Sequence, residues 1–117
     1  DEKLARDIMH KSIISLSRNQ LIKDVAKLFT KYSISQAPVI DNQKLIGLVT
    51  ESSIMNNLEE NPDKKVEEIM EDSPPVITLG TNLPTIISLL KFFPILVIQQ
   101  KGELKGVITK ADVLKNL

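Results

Sequence analysis

Gly47-Leu48-Val49-Thr50 and Gly106-Val107-Ile108-Thr109 are one four-residue phrase written twice, and a short amphipathic segment follows each copy. The order around the copies is shared as well. Ala5-Arg6-Asp7-Ile8-Met9 is echoed by Val66-Glu67-Glu68-Ile69-Met70, Ile13-Ile14-Ser15-Leu16 by Val76-Ile77-Thr78-Leu79, and Pro38-Val39-Ile40 by Ile95-Leu96-Val97-Ile98. The 117 residues therefore read as two copies of one unit, 1–60 and 61–117. Repetition at a fixed period constrains a fold more than any single motif does. Two copies are too few for a solenoid and suit a closed pair that buries one shared face.

A chain of this length is one domain's worth, or two small domains that share a core. Apolar residues make up 42% and aromatics only 3%, so aliphatic side chains must fill that core. Cysteine is absent, which excludes disulfides and thiolate metal sites. Fifteen basic residues balance fifteen acidic ones, leaving no electrostatic footprint for nucleic acid. The longest apolar run, Leu83 to Ile98, is interrupted by Lys91 and Pro94 and falls short of a membrane span. No signal-like apolar stretch follows Asp1-Glu2-Lys3, so a soluble cytoplasmic protein is expected.

Periodicity supplies the elements. Ile13 to Ser17 is a β-branched run that predicts a strand. Leu21, Val25, Leu28, Phe29 and Tyr32 recur at helical spacing. Gln36 to Asp41 and Leu45 to Val49 predict a hairpin over Asp41-Asn42-Gln43-Lys44, and a helix follows from Thr50 or Glu51 through Leu58. The second half predicts a strand over Val76 to Leu79 and a helix over Asn82 to Phe92. It continues with a hairpin from Ile95 to Gln99 and Leu104 to Thr109, and a closing helix over Lys110 to Leu117. Each unit reads β-α-β-β-α, an α/β (α+β) chain. The helix-to-strand connection is about four residues shorter in the second half, at Phe92-Phe93-Pro94.

Together the Asp7-Ile8-Met9 and Glu68-Ile69-Met70 leads, Ser35-Gln36-Ala37-Pro38-Val39-Ile40 and the two Gly-x-x-Thr phrases make the chain similar to a tandem pair of cystathionine-β-synthase-type (CBS) domains, a Bateman module. The resemblance implies two units packed with pseudo-two-fold symmetry, modules that form homodimers through their helices, and clefts between the domains that bind AMP, ADP, ATP or S-adenosylmethionine. The second half resembles the CBS pairs of archaeal helix-turn-helix transcription regulators. It also resembles the regulatory tail of cystathionine-β-synthase-like enzymes. The start at Asp1 without methionine suits a module fused to such an effector; a separate effector partner is the other possibility.

Thr109 and Asp112 admit two readings. A Thr at a helix start with an acid three residues on is a helix cap. The same geometry offers phosphate a hydroxyl and N–H groups, and offers both hydroxyls of a ribose a carboxylate. The resemblance favours ligand binding, with Val76, Ile77, Thr78, Pro94 and Ile95 supplying backbone and apolar contacts to adenine, while core packing is the other reading of the Val76, Ile77 and Ile95 side chains. Lys110 adjoins Thr109 at the helix start, either within reach of a phosphate or as a solvated surface lysine. The corresponding first-half set is Thr50, Ser53, Ile14, Gln36 and Ala37. Ser53 stands where Asp112 does and lacks a carboxylate, so a weak or empty site is expected there. Met9 and Met70 read as adaptable core fillers between units, and His10 as an exposed loop residue. Glu67, Glu68, Glu71 and Asp72 read as a solvated face.

No nucleophile elbow, phosphate loop or metal spacing is present, and no catalytic residue, cofactor or metal is expected. The sequence thus points to a ligand-sensing regulatory module that changes its inter-unit angle or dimer packing on binding, without touching membrane or nucleic acid itself. A dimerisation module that binds nothing is the alternative.

Overall fold

The computed structural model describes residues 2–117; Asp1, where the first repeat begins as read from sequence, lies outside them. The elements in order are α1 (Ala5–Ile8), α2 (Ile22–Tyr32), β1 (Gln36–Asp41), β2 (Lys44–Thr50), α3 (Glu51–Leu58), α4 (Val66–Ile69), β3 (Val76–Ile77), α5 (Leu83–Leu90), β4 (Ile95–Gln100), β5 (Glu103–Thr109) and α6 (Lys110–Lys115). Both hairpins and the four longer helices stand where periodicity placed them. The fold is α+β.

Chain contacts divide the molecule into two compact units. The Ser53 unit is Ile14–Ser73, and the Asp112 unit joins the residues up to Ile13 with Pro74–Leu117. Sequence repeat and spatial unit are therefore different partitions, because each lead segment packs with the strands of the other repeat. Ala5 and Ile8 of α1 are buried with Ile86, Leu96, Ile98 and Ile108. Val66 and Ile69 of α4 are buried with Val25, Phe29, Val39 and Val49.

The same anchors recur in both units. The first two N–H groups of α1 donate to Thr81 O (2.8 Å) and Leu79 O (3.0 Å), as those of α4 donate to Gln20 O (2.8 Å) and Arg18 O (3.0 Å). These donors have no partner inside a helix, and the exchange satisfies them. Past each lead helix a methionine lies over a glycine. A Cβ built on Gly106 would sit 2.7 Å from Met9 Sδ, and one on Gly47 would sit 2.7 Å from Met70 Sδ. Here glycine is required by close approach. Reciprocal backbone bonds then fix His10 to Val107 and Glu71 to Leu48. Met9 and Met70 are thus fillers packed within single units. Arg18 further ties α4 down, donating to Glu67 (2.7 Å) and Asp41 (3.3 Å). Chiefly the Glu67 hydrogen bond, then Asp41, raises the guanidinium's pKa.

The first strands of the repeats are shorter than expected. In Ile13 to Ser17 only Leu16 pairs, with its N–H on Pro38 O and its carbonyl accepting from Ile40 N, both at 2.9 Å. Its neighbours Ser15 and Ser17 are exposed and have no apolar surface to hold them on the sheet. The strand over Val76 to Leu79 stops at Ile77, because Thr78 N–H donates to Thr81 Oγ1 at 3.2 Å and begins a turn. The helix predicted over Asn82 to Phe92 runs from Leu83 to Leu90, Asn82 being its cap through a bond from Thr85 N at 3.0 Å. The closing helix ends at Lys115 instead of Leu117.

β1 and β2 pair antiparallel, with Leu16 adding one parallel bridge to Val39. In the Asp112 unit β3 runs parallel to β4, and β4 antiparallel to β5. The turns carry positive φ at both central residues: 48° and 66° at Asn42 and Gln43, 51° and 78° at Lys101 and Gly102. Such turns match the right-handed strand twist. Gln43 occupies a left-handed position that glycine holds without steric cost. Gln43→Gly is therefore expected to stabilise the chain by about 0.5–1 kcal/mol, seen as a rise of a few degrees in the thermal midpoint.

Candidate functional site

The strand-to-helix junctions place chemistry at one end of each sheet. In the Asp112 unit Thr109 ends β5 opposite Ile95, the first residue of β4, so Pro94, Ile95, Thr109, Lys110 and Asp112 gather there. Thr109 is extended (φ −118°) and α6 begins at the next residue, which swings Asp112 back over the junction. One oxygen of Asp112, Oδ2, accepts both the Thr109 backbone N–H (2.9 Å) and the Thr109 hydroxyl (3.1 Å). The other oxygen has no protein donor among the described residues, and the side chain is only partly buried.

The remaining expected contacts of this unit are distributed along β3. Val76 pairs with Val97 and Ile77 with Ile98, so β3 lies two to three residues from the Ile95 end. Val76 is exposed at 49% and Ile77 is buried at 8%. Thr78 lies a residue further away and is engaged with Thr81. Pro94 is exposed and Ile95 buried. Lys110 also lines a cavity of about 260 Å³ with Ile87, Leu90, Lys91, Val113 and Leu114, to which neither Thr109 nor Asp112 contributes.

The Ser53 unit has the same plan with a different carboxylate. Gln36 pairs with Thr50 and Ala37 with Val49, while Ile14 precedes the Leu16 bridge by two residues. Thr50 caps α3 by accepting from Ser53 N at 3.1 Å. Glu71, on the backbone segment bridged to Leu48, reaches this cap. Its Oε2 accepts the Thr50 hydroxyl at 3.0 Å and the Ser53 hydroxyl at 2.9 Å.

The acids expected to form a solvated face thus have separate tasks. Glu67 pairs with Arg18, Glu68 accepts the Lys65 N–H at 2.7 Å, and Glu71 serves the cap. Sequence inspection missed Glu71 because the contact spans 18 residues to Ser53 and depends on the lead exchange. The available signal was the pairing of His10 with Glu71 across the repeat, opposite in sense to that of Asp112 with Ser53. His10 itself is exposed, as expected, though its backbone is bridged to Val107. No group of three potential metal ligands and no helix long and apolar enough to cross a membrane occurs among the described residues.

Two Gly-x-x-Thr hairpins, each followed by a capped helix and completed by an exchanged lead, make the chain a tandem repeat of one α+β unit. The family model for the CBS domain matches residues 5–60 and 66–117, and the chain belongs to that family as a tandem pair. It is similar to the uncharacterised protein MJ1232 of Methanocaldococcus jannaschii, at 33% identity over 93% of this chain and 38% of that one. It is also 29% identical to an inosine-5′-monophosphate dehydrogenase of Korarchaeum cryptofilum, over 95% of this chain and 24% of that one. The chain therefore spans well under half the length of these relatives. Among solved structures, CBSX2 in complex with AMP superposes with a TM-score of 0.82 at 23% identity, covering 97% of this chain and 94% of that one.

Proposed function

We propose that the chain is the ligand-sensing part of a regulator and that the Asp112 unit reads the ribose of an adenosyl ligand: AMP, ADP, ATP or S-adenosylmethionine. The observation that carries this reading is the half-open Asp112 carboxylate. Thr109 holds one oxygen in place and leaves the other to accept from a sugar hydroxyl. A carboxylate fixed before the ligand arrives spends little conformational entropy on binding. Backbone groups of Val76, Pro94 and Ile95 would meet the base, and Lys110 would meet a phosphate. Family membership and the AMP complex of CBSX2 support nucleotide as the ligand class.

The response is a shift between two arrangements of the module, driven by the ligand's differential affinity for them. That shift acts on an effector, which we read as the DNA-binding part of a cytoplasmic transcription regulator. The long relatives, of which this chain matches a fraction, support a module that serves a larger protein.

Titration calorimetry with AMP, ATP and S-adenosylmethionine tests this reading. At least one is expected to bind saturably, and Asp112→Asn is expected to weaken that binding at least tenfold, the range for losing a hydrogen bond to a charged group. A folded wild-type chain that binds none of them would overturn the reading. A dimerisation module would then be the better account, favoured by the exposure of Phe92 (82%) and Leu114 (69%).

A further inference from the structure

The two units arrive at one carboxylate arrangement by different residues. In the Asp112 unit the carboxylate stands on the helix, and the bridged lead residue is His10. In the Ser53 unit the helix offers only a hydroxyl, and the bridged lead residue is Glu71. Val107 and Leu48, which receive these bridges, are both the residue after the glycine in the repeated phrase, so His10 and Glu71 occupy equivalent places. Each unit therefore has one acid at its cap and no carboxylate at the other position.

The hydrogen bonding is equivalent too. Asp112 Oδ2 accepts two donors of its cap at 2.9 and 3.1 Å. Glu71 Oε2 accepts two donors of its own at 3.0 and 2.9 Å. In both cases the second oxygen has no protein donor among the described residues. Glu71 is exposed, so solvent and solutes reach that oxygen. Its backbone is held to Leu48 by bonds of 3.0 and 2.8 Å, so the side chain starts from a fixed base. A carboxylate has room for about four hydrogen bonds, and two places remain for a neighbouring pair of hydroxyls.

We infer that Glu71 is the ribose-reading carboxylate of the Ser53 unit, so that this chain has two adenosine sites in place of one. The inference rests on the reading of Asp112 given above and extends it to a unit whose own helix lacks the acid. The ligand class is a nucleoside with an intact 2′,3′-diol. The acid of this second site comes from the lead of the second repeat, whereas the acid of the first comes from the final helix. The sites therefore respond to substitutions at unrelated sequence positions.

Calorimetric titration of the full chain with adenosine, and with 2′-deoxyadenosine as the diol control, separates the possibilities. The wild type is expected to bind two adenosines per chain and to bind deoxyadenosine at least tenfold more weakly. Glu71→Gln and Asp112→Asn are each expected to lose one of the two sites. The double variant Ser53→Asp/Glu71→Gln, which moves the acid to the helix position used by the other unit, is expected to restore two, a recovery that a merely structural Glu71 would not show. Two sites in Glu71→Gln would overturn the inference. A wild type with a single site, lost in Asp112→Asn and untouched in Glu71→Gln, would also overturn it while leaving the Asp112 reading standing. No adenosine binding at all would overturn both.

Discussion

Residues 14–73 are expected to fold cooperatively as an isolated fragment, and residues 1–60, a chain of the same length, are not. The second fragment is the repeat as it appears in sequence; the first is the unit as it packs. Both contain α2, the β1–β2 hairpin and α3, so helix content by propensity is nearly matched. They differ in the lead. The 1–60 fragment lacks Val66 and Ile69, which are 0% and 8% exposed in the core of this unit, and it lacks Met70 over Gly47. Burying each aliphatic side chain contributes about 1.5–3 kcal/mol. A 60-residue domain has a net stability on the order of 3–9 kcal/mol. Losing two such anchors removes a large share of that margin, and the fragment retains Ala5 and Ile8 with nowhere to bury them. Thermal unfolding followed by far-ultraviolet circular dichroism decides the matter. A sigmoidal transition from 1–60 with none from 14–73 would refute the assignment of leads to units.

Gly106→Val is expected to destabilise the full chain by about 3 kcal/mol, lowering the thermal midpoint by on the order of 10 °C. A Cβ at this position would lie 2.7 Å from Met9 Sδ and 3.0 Å from His10 O. The thioether can swing aside, but the carbonyl is committed to Val107 N at 3.1 Å. Relief therefore requires the lead to lift from the sheet. Met9→Ala added to Gly106→Val is expected to recover only part of the loss, because the carbonyl contact persists. Gly80→Ala is the control, since its nearest neighbour would be Arg6 Nη2 at an ordinary 3.6 Å. Equal midpoints for Gly106→Val and Gly80→Ala would show that the lead is not held as described.

The helices and hairpins were legible because each obeys a local rule. α2 follows 3.6-residue periodicity from Val25 to Phe29, and the hairpins are marked by the polar turns Asp41-Asn42-Gln43-Lys44 and Gln100-Lys101-Gly102-Glu103 between apolar runs. The first strands were less legible because their pairing is a tertiary matter: Leu16 bonds to Pro38 and Ile40, residues more than twenty positions away. The lead exchange was illegible for a different reason. Repeats of equal pattern have leads of equal pattern, so the sequence of Ala5-x-x-Ile8 or of Val66-x-x-Ile69 does not announce which groove it fills. At the candidate sites, Thr109 and Asp112 stand three residues apart and announce themselves. Glu71 meets Thr50 across 21 positions, and nothing local marks it.

The exchange of leads has a consequence for how such a chain can be shortened or recombined. A polypeptide with one repeat would carry an unfilled groove and an unburied lead at the same time. Each defect is the cure for the other, but only in a second copy of the molecule. Half of this chain is thus an obligate trader, complete only in company, and the duplication reads as two such traders joined through residues 59–65, between α3 and α4. The exchange that would otherwise depend on protein concentration has become a fixed property of one chain.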